Sequence, residues 1–370
     1  MRIRSAARRA LADVLREHRD VRRLAIAAED AVERCRHRAA EVLPILIRPR
    51  ADLLMIAVTA NCNASCLGCR YGRDFMPGRQ LSWEMTRDLL DDASDLGYRR
   101  VRLYGGEPLL HPDLPRMVEH AFSRHLKPYV TTNGILLKKR IDHLFAAGLR
   151  DITMGIYGVA EFYDRYVQRR GLFAQVESSI QTVRERYGTQ VELQMNWLLM
   201  RPTCSVEALH QAYTFAQRYD MSLQVDLIHY SLPYFTEGPN RELQFTAADR
   251  PAIERVTGEL LALQRSDPDR IRHSPEGIRA MSDWLILGSA MRVPCTAGEM
   301  MWVGADGTVQ MCYVTFPLGN LHQQRFREIA FTEAHRAAAR DAFALNCPNC
   351  HCSADRRVSR HAPTRRRYTQ

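Results

Sequence analysis

The sequence predicts an α/β protein built around a parallel sheet, and two patterns lead to that prediction. From residue 52 to residue 230, strand-like apolar segments alternate six times with helix-like segments. The connections are short, and sustained alternation of this kind produces a parallel sheet covered by helices. The first strand, residues 53–60, is an unbroken apolar run, as expected for a buried parallel strand. Six such units fit either an open doubly wound sheet or a partial barrel.

The elements of this array follow from local sequence signals. Ser82 is a plausible N-cap for the first helix of the array, and Gly97 is a suitable stop. Beyond the array, residues 231–246 are rich in proline and glycine and predict an irregular segment, and helices follow at 247–264 and 276–287. The predicted strands cover 53–60, 100–105, 128–132, 151–158, 191–200 and 223–230, and the helices between them cover 82–97, 113–125, 138–147, 172–187 and 205–219.

The two ends of the chain differ from this array. Residues 3–40 contain no glycine or proline and predict a helix, which we expect to pack on the main domain rather than lie on a membrane. From residue 291 the pattern changes to a short hairpin around Asp306-Gly307. The predicted division is a basic helical extension (1–50), a core barrel or sheet (51–235), a helical linker (236–290), a small cysteine-rich hairpin domain (291–352) and a loosely ordered basic tail (353–370).

The net charge of +10 belongs to those ends. Residues 1–50 carry thirteen arginines against seven acids, and residues 353–370 carry six arginines against one acid. We interpret this as a solvated basic surface, so no DNA partner is predicted. No apolar run is long enough to cross a bilayer, and the first residues lack the apolar core of a secretory signal. A cytoplasmic location is therefore predicted.

Ten cysteines in a reducing compartment point to metal or redox chemistry rather than to disulfides. Cys62, Cys66 and Cys69 have the spacing C-x3-C-x2-C and lie in the loop after the first strand. Three cysteine ligands on a four-iron cluster leave one iron open to a substrate or cofactor. A zinc ion would normally need a fourth nearby protein ligand, and the nearest candidate, His111, lies beyond the second strand.

Two further motifs end the second and third predicted strands. Gly105, Gly106, Glu107 and Pro108 follow residues 100–104, and Thr132-Asn133 ends the next strand. Active sites of α/β folds lie where parallel strands end, so these motifs are expected near the three cysteines. Paired glycines allow close backbone approach, and a carboxylate is a good acceptor for an ammonium group.

In this order, the three motifs resemble those of the radical S-adenosylmethionine (SAM) superfamily, over roughly residues 52–235. The resemblance implies a partial (β/α)6 TIM-like barrel and a [4Fe–4S] cluster held by Cys62, Cys66 and Cys69. It also implies that a flavodoxin or ferredoxin-type donor supplies an electron, that SAM is cleaved to a 5′-deoxyadenosyl radical, and that this radical removes a hydrogen atom from a substrate. The implied SAM contacts are Gly105, Gly106, Glu107, Pro108, Thr132 and Asn133.

The chain departs from the family pattern at three places. Gly68 stands where relatives usually have an aromatic residue against the adenine, so Tyr71 or Phe75 is expected to take that role. Residues 155–158 read Gly-Ile-Tyr-Gly where relatives often read Ser-Ile-Asp-Gly. Arg169 is the arginine nearest in register to the family's contact with the SAM carboxylate.

A second group of cysteines resembles the SPASM/twitch extension of radical SAM enzymes. One cysteine precedes the predicted hairpin, one ends it, and the chain then reads C-P-N-C-H-C. The resemblance implies one auxiliary [4Fe–4S] cluster, with Cys352 or His351 as an alternative ligand. Structural zinc and a group of inert thiols are the competing interpretations. The implied ligands are Cys295, Cys312, Cys347 and Cys350.

Members with this extension act either on ribosomally made peptides or on small molecules. Only about fifty residues precede the predicted barrel, and they predict a helix rather than a peptide-recognition domain. We therefore expect a small-molecule substrate, such as a sugar, cyclitol or nucleoside, that undergoes oxidation, epimerisation or elimination. The alternatives are a peptide-crosslinking enzyme and a non-catalytic iron–sulfur electron carrier.

Polar residues at the strand ends are the candidates for contact with that substrate. Cys204 lies after the fifth strand and is a candidate hydrogen donor, although a buried small side chain is the simpler interpretation. His229 and Tyr157 are the other candidate catalytic residues. Weaker candidates for substrate contact are Gln194, Asn196, Asp226 and Tyr230.

Overall fold

A computed structural model of the chain describes residues 19–229, 241–313 and 315–361. Its six parallel strands lie side by side in the order β6-β5-β4-β3-β2-β1, and β6 forms an open edge. The predicted α/β class with a partial barrel is therefore confirmed. The strands are β1 (Leu53–Thr59), β2 (Arg100–Gly105), β3 (Lys127–Thr132), β4 (Asp151–Gly155), β5 (Glu192–Leu199) and β6 (Ser222–Leu227).

Helices cover the outer face of this sheet. The Ser82 side chain accepts a hydrogen bond from the Met85 amide at 3.1 Å, and Gly97 ends that helix with a φ of +90°. Both predicted signals are thus confirmed, whereas the short helix α5 was not predicted. The helices are α1 (Arg19–Ala40), α2 (Trp83–Leu96), α3 (Leu114–Ser123), α4 (Leu137–Ala146), α5 (Glu161–Tyr166), α6 (Leu172–Tyr187), α7 (Val206–Arg218), α8 (Arg250–Ser266), α9 (Pro275–Leu287), α10 (Phe326–Ile329), α11 (Glu333–Phe343) and α12 (Ala354–His361).

The two faces of the sheet have opposite character. Leu103, Val130 and Met195 point outward into the main apolar core beneath the helices. Between such residues, alternate positions of β2, β3, β5 and β6 are only half-buried. Because neighbouring side chains of a strand point to opposite faces, these positions line the concave inner face.

The C-terminal hairpin continues the sheet of the barrel. Its strands are β7 (Met300–Val303), β8 (Thr308–Gln310) and β9 (Pro317–Asn320). β7 pairs in parallel with β1, so the described strands form one nine-stranded sheet. The hairpin predicted at Asp306-Gly307 is present, and Gly307 has a φ of +81°. The sequence predicts a separate small unit from residue 291, but its strands join the barrel directly.

The N-terminal helix packs on the C-terminal region rather than on the barrel helices. The Nδ1 atom of His37 on α1 lies 3.1 Å from Nε2 of His361, and the His37 ring contacts Phe343 edge-on. The prediction of packing on the main domain is therefore wrong for this helix. Residues 1–18 lie outside the described residues. Among the described helices, none is long and apolar enough to cross a membrane.

The prediction of a loosely ordered basic tail is wrong for residues 354–361, which form α12. Two of its arginines, Arg357 and Arg360, are buried because they find partners in the interior. Arg360 lies 2.5 Å from a carboxylate oxygen of the buried Glu299, and Arg356 contacts the other oxygen at 2.7 Å. Residues 362–370 lie outside the described residues.

One buried carboxylate ties the C-terminal region to the barrel. Asp92 on α2 is fully buried and accepts hydrogen bonds from the Arg325 guanidinium at 2.8 Å and from Arg327 Nε at 2.5 Å. Both arginines follow β9 and are about half exposed. This contact holds the start of α10 against α2.

Candidate active site and auxiliary thiol site

The loop that carries Cys62, Cys66 and Cys69 follows β1 directly, as predicted. It is held by the segment after β4: the Leu67 amide donates to the Tyr166 carbonyl, and the Gln168 side chain donates to the Ser65 carbonyl, both at 2.8 Å. Gly68 adopts a φ of +73°, which lets the loop turn between the last two cysteines. The loop is therefore anchored to the barrel at two points.

The three thiols lie close enough to interact electrostatically. Burial raises the pKa of Cys62 to about 11 and also raises the pKa of Cys69. Burial raises the pKa of Cys66 as well, and the neighbouring Cys69 and Cys62 thiols raise it further. Thiols in such a setting become thiolates when an iron centre takes up their negative charge. No three Cys, His, Asp or Glu side chains of the described residues surround a preformed position for a single metal ion.

His111 does not supply a fourth ligand for zinc beside this loop. The imidazole is buried, with Nε2 at 3.0 Å from the Leu81 carbonyl oxygen and Nδ1 accepting the Asp113 amide at 3.1 Å. Both ring nitrogens are thus engaged in the fold. This contact set removes the histidine on which a zinc interpretation of the loop depended.

The glycine pair after β2 is required by close backbone packing against the start of the thiol loop. Gly105 has a φ of +146°, and a Cβ atom there would lie 2.1 Å from the Thr59 carbonyl oxygen. A Cβ atom on Gly106 would lie 2.4 Å from the carbonyl oxygens of Ala60 and Asn61. Any side chain at these positions would therefore force the ends of β1 and β2 apart.

Glu107 joins this glycine motif to the motif at the end of β3. Its buried carboxylate accepts the Thr132 hydroxyl at 2.6 Å, the Asn133 amide at 2.8 Å and the Leu109 amide at 3.0 Å. Burial raises the pKa of Glu107 to about 7, and these three donors oppose the shift. The carboxylate thus holds two strand ends together, and its predicted contact with the SAM amino group stays a prediction.

Asn133 connects the end of β3 to the thiol loop. Its side-chain amide donates to Asn63 Oδ1 at 2.8 Å and lies 4.0 Å from the Cys62 sulfur. The hydroxyl of Tyr163 donates to the Asn133 carbonyl at 3.2 Å. Asn63 was missed at the level of sequence, although its place between the first two cysteines was the available signal.

Polar side chains line the inner face of the sheet below this loop. Asn196 donates to Asp226 at 2.8 Å, and Gln194 donates to the Asn196 side-chain oxygen at 2.8 Å. Burial raises the pKa of Asp226, while the nearby His273 and Arg102 oppose that shift. Three weaker substrate-contact candidates thus lie together. Arg102 was missed, although a charged residue at an inward position of β2 was a usable signal.

Tyr157 lies within electrostatic range of both the thiol loop and that polar face. Burial raises the pKa of its phenol, and the Cys66 and Cys69 thiols and Asp226 act in the same direction. Its ring lies 5.0 Å from the ring of Tyr166, centroid to centroid. Of the three candidate catalytic residues, Tyr157 is the one that the structure places beside the thiol loop.

The two other candidate catalytic residues lie elsewhere. Burial raises the pKa of Cys204 to about 11, and its charged neighbours are Asp249 and Arg255 at the start of α8. His229 stacks on His351 at 4.3 Å between ring centroids, and burial lowers its pKa to about 4. Cys204 is therefore apart from the thiol loop, and His229 faces the second cysteine group. Tyr230 lies outside the described residues.

The residues expected near the adenine and the carboxylate of SAM occupy different environments. The Tyr71 ring is buried in an apolar cluster with Met76 and Trp302, whereas Phe75 is 39% exposed. Arg169 is exposed on the turn before α6, and Pro108 is buried in the turn after Glu107. Phe75 is thus the more exposed of the two aromatic side chains expected near the adenine.

The second cysteine group surrounds a cavity. Hairpin and terminal cysteines converge on it, as the SPASM resemblance implies, and Cys352 joins the predicted four. Cys352 donates to Cys350, which lowers the pKa of Cys350 and raises that of Cys352. The thiols that line the cavity are Cys295, Cys312, Cys347, Cys350 and Cys352.

Arg357 on α12 lines the same cavity and was not identified from the sequence. It is 1% exposed, it donates to the carbonyls of Cys350 and Val293, and its guanidinium lies 4.6 Å from the centre of the Trp284 ring. No carboxylate of the described residues forms an ion pair with it. A buried cation needs a nearby negative charge, and thiolates around a metal cluster would provide one. The residues present therefore fit an anionic metal–thiolate centre.

His351 stands between the cavity and the barrel. The imidazole is buried, and its Nε2 lies 3.2 Å from the Leu227 carbonyl oxygen at the end of β6. This nitrogen therefore faces the barrel backbone, and the choice between Cys352 and His351 as an alternative ligand stays a prediction. Asn349 fixes the same segment by donating to the Ser289 and Met291 carbonyls at 2.7 Å.

Comparisons with known proteins agree with this arrangement. Residues 56–198 match the radical SAM superfamily, and residues 295–352 match the SPASM iron–sulfur cluster-binding domain. A GTP 3′,8-cyclase of Chlorobaculum tepidum is 32% identical over 40% of this chain and 46% of its own length. The AdoMet-dependent heme synthase of Methanosarcina barkeri is 24% identical over 75% of this chain and 81% of its own length.

A solved structure shares the fold. Native anSMEcpe with bound AdoMet and the Cp18Cys peptide superposes with a TM-score of 0.61 at 17% identity, over 80% of this chain and 84% of the other. The chain spans about half the length of the first GTP 3′,8-cyclases that it matches. The two matched domains imply a SAM-binding [4Fe–4S] cluster, SAM and an auxiliary cluster. The anchored loop of three thiols and the separate cavity of five thiols provide a place for each cluster, and the chain accordingly belongs to the radical SAM superfamily and carries a SPASM iron–sulfur domain.

Proposed function

We propose that this chain cleaves SAM reductively and removes a hydrogen atom from a polar small molecule bound against the inner face of the sheet. The observation that carries the proposal is the position of the thiol loop. It begins where β1 ends, and Tyr157 lies within electrostatic range both of the Cys66 and Cys69 thiols and of Asp226 on β6. A radical formed beside this loop would therefore meet a substrate held by Asn196 and Asp226.

The roles of the residues follow from their contacts. Cys62, Cys66 and Cys69 would hold the catalytic cluster, which when bound supplies the electron that splits SAM and so produces the 5′-deoxyadenosyl radical. The Glu107 carboxylate keeps the glycine motif and Asn133 in fixed relation by accepting from both sides of the site. A site held by such contacts keeps its geometry when ligands bind.

Several further assignments belong to the same proposal. The division at residues 50, 235, 290 and 352 separates a helical extension, a catalytic core, a linker and an auxiliary-cluster domain that Cys295, Cys312, Cys347 and Cys350 would serve. A flavodoxin or ferredoxin-type protein would supply electrons.

The ten free thiols suit a reducing compartment, which favours the cytoplasm. Because a protein of similar fold was solved with a peptide, a ribosomally made peptide is the alternative substrate.

The test is the formation of 5′-deoxyadenosine by the anaerobically reconstituted protein with SAM and dithionite. We expect one methionine per 5′-deoxyadenosine from the wild-type protein, and background amounts from the triple variant Cys62→Ala/Cys66→Ala/Cys69→Ala. Cys35→Ala is the matched control, because Cys35 lies exposed on α1 and belongs to neither thiol group.

Iron and sulfide content is measured on the same samples. Two cubane clusters correspond to about eight irons per chain, and the triple variant should retain about four. Wild-type protein that contains both clusters and SAM but releases no 5′-deoxyadenosine would identify an electron carrier and contradict the proposal.

A further inference from the structure

The inner face of the sheet contains one arginine that forms no ion pair with any of the described residues. Arg102 is at an inward, half-buried position of β2. Gly105, where the glycine motif begins, is three residues further along the strand, so the two positions are about 10 Å apart at the usual rise of a strand. Arg102 therefore lies deeper in the barrel than the motif that is expected to hold SAM.

Three contacts hold the Arg102 side chain in one position. Its Nε donates to the Thr131 hydroxyl at 2.9 Å, and its Nη1 donates to the Tyr313 hydroxyl at 2.7 Å. Its guanidinium carbon lies 4.7 Å from the centre of the Tyr104 ring. A planar guanidinium held at two of its nitrogens and over one face is pre-organised, because little side-chain freedom remains to be lost when a ligand binds.

These contacts leave donors and charge unused. A guanidinium has five N–H groups, and the hydrogen bonds to Thr131 and Tyr313 occupy two of them. Both partners are neutral hydroxyls, and no carboxylate of residues 19–229, 241–313 and 315–361 forms an ion pair with Arg102. Placing a cation inside a protein without a counter-ion is costly, so an anion that arrives from outside would be favoured there.

Asp226 provides a negatively charged acceptor on the same face. It lies within electrostatic range of Arg102 without forming an ion pair with it, and it accepts from Asn196 at 2.8 Å. A carboxylate flanked by an amide suits a hydroxyl or ammonium donor. The inner face thus carries a cation towards β2 and an acceptor towards β6.

We propose that the substrate carries an anionic group, a carboxylate or a phosphate, that binds the unused N–H groups of Arg102, and a hydroxyl or amino group that binds Asp226. This inference rests on the proposed function, because it assigns the substrate class of the same site. A neutral sugar or cyclitol does not match Arg102, whereas its acid, phosphate or nucleotide counterpart does. Arg102 is then a specificity-determining residue.

Small probes test the anion site directly. Binding of inorganic phosphate, of acetate and of the neutral isostere acetamide to the reconstituted protein is measured by ³¹P and ¹H NMR line broadening. We expect wild-type protein to bind at least one of the two anions and not acetamide. Loss of charge-assisted hydrogen bonds in Arg102→Gln should weaken anion binding by about 10- to 100-fold, and Arg102→Lys should fall in between because it keeps the charge but not the planar edge.

The control variant is Arg116→Gln. Arg116 also lies over an aromatic ring, that of Trp83 at 4.4 Å, but on the exposed outside of the barrel. The Arg116→Gln variant should bind the anions as the wild-type protein does. Preference for phosphate or for acetate identifies which anion the substrate carries.

Three results would overturn the inference. They are absence of anion binding to the wild-type protein, unchanged binding to Arg102→Gln, and an equal loss of SAM affinity in that variant, which would assign Arg102 to the SAM carboxylate instead. Release of 5′-deoxyadenosine is followed in the same samples. If release is absent while anion binding depends on Arg102, the proposed function fails and the anion site stands. If release is present while anion binding does not depend on Arg102, the anion site alone is refuted.

Discussion

Replacing Glu107 by glutamine tests how a buried carboxylate can hold two strand ends together. Burial raises the pKa of Glu107 from its usual 4.5 to about 7, although three donors within 3.0 Å favour the charged form. The native protein therefore binds this proton more tightly than the unfolded chain does. The stability that protonation of Glu107 adds to the folded protein is fully present below pH 4.5 and is lost as the pH rises through 7.

The size of this effect follows from the two pKa values. Between pH 5.5 and pH 8.5, the contribution of Glu107 to the free energy of unfolding should fall by about 2 kcal/mol. Glutamine does not titrate, so the Glu107→Gln variant should lack this part of the pH dependence. The variant also turns an NH₂ group towards the Asn133 amide or the Thr132 hydroxyl, which adds a cost of about 1–3 kcal/mol at every pH.

The measurement is urea unfolding of both proteins under anaerobic conditions at several pH values in that range. The variant should be clearly less stable than the wild-type protein at pH 5.5. The difference between their free energies of unfolding should be smaller by about 2 kcal/mol at pH 8.5. Glu185→Gln is the matched control, because Glu185 is an exposed residue of α6. A difference that stays constant over this range would show that the three hydrogen-bond donors outweigh burial, and a difference that stays constant or widens as the pH rises would refute the reasoning.

Three other substitutions test separate parts of the structure. Gly106→Ala places a Cβ atom 2.4 Å from two carbonyl oxygens, so it should destabilise the protein by about 1–3 kcal/mol in urea and reduce iron at the three-thiol loop. Asp92→Asn weakens the contact with the two half-exposed arginines after β9 and should cost about 1–3 kcal/mol in the same assay. Arg357→Met removes the cation beside the second thiol group, so iron should fall from about eight to about four per chain while 5′-deoxyadenosine release without substrate persists.

The parts of the site that sequence reasoning identified are local in the chain. The thiol loop, the glycine pair and Asn133 each follow a strand directly, and parallel strands end on one edge of a sheet. Their convergence therefore follows once the strands are recognised. The hydrogen bonds of Glu107 could not be predicted, because its donors lie on two different strand ends and only the packing shows that they occupy both carboxylate oxygens.

The parts that were missed depend on contacts between distant segments. Arg102 gains its importance from Tyr313, which is 211 residues further along the chain. α12 was taken for a loose tail because its arginines resemble a solvated surface, and only the positions of Glu299 and the second thiol group explain why Arg360 and Arg357 are buried. Hydrophobic periodicity describes how a segment meets its neighbours, but it does not show which buried charge a distant arginine will meet.

The same distant contacts connect the two thiol sites. β7 pairs with β1, so the strand that leads into the thiol loop is also the strand that pairs with the hairpin. Tyr313 follows Cys312 directly, and its hydroxyl accepts from Arg102 and donates to the Met55 sulfur on β1 at 2.9 Å. Cys312 of the second thiol group and Arg102 on the inner face are thus connected through Tyr313 alone. Any movement of Cys312 when its site fills would be passed to Arg102, so occupancy of the auxiliary site and the position of the substrate's anion are expected to depend on each other.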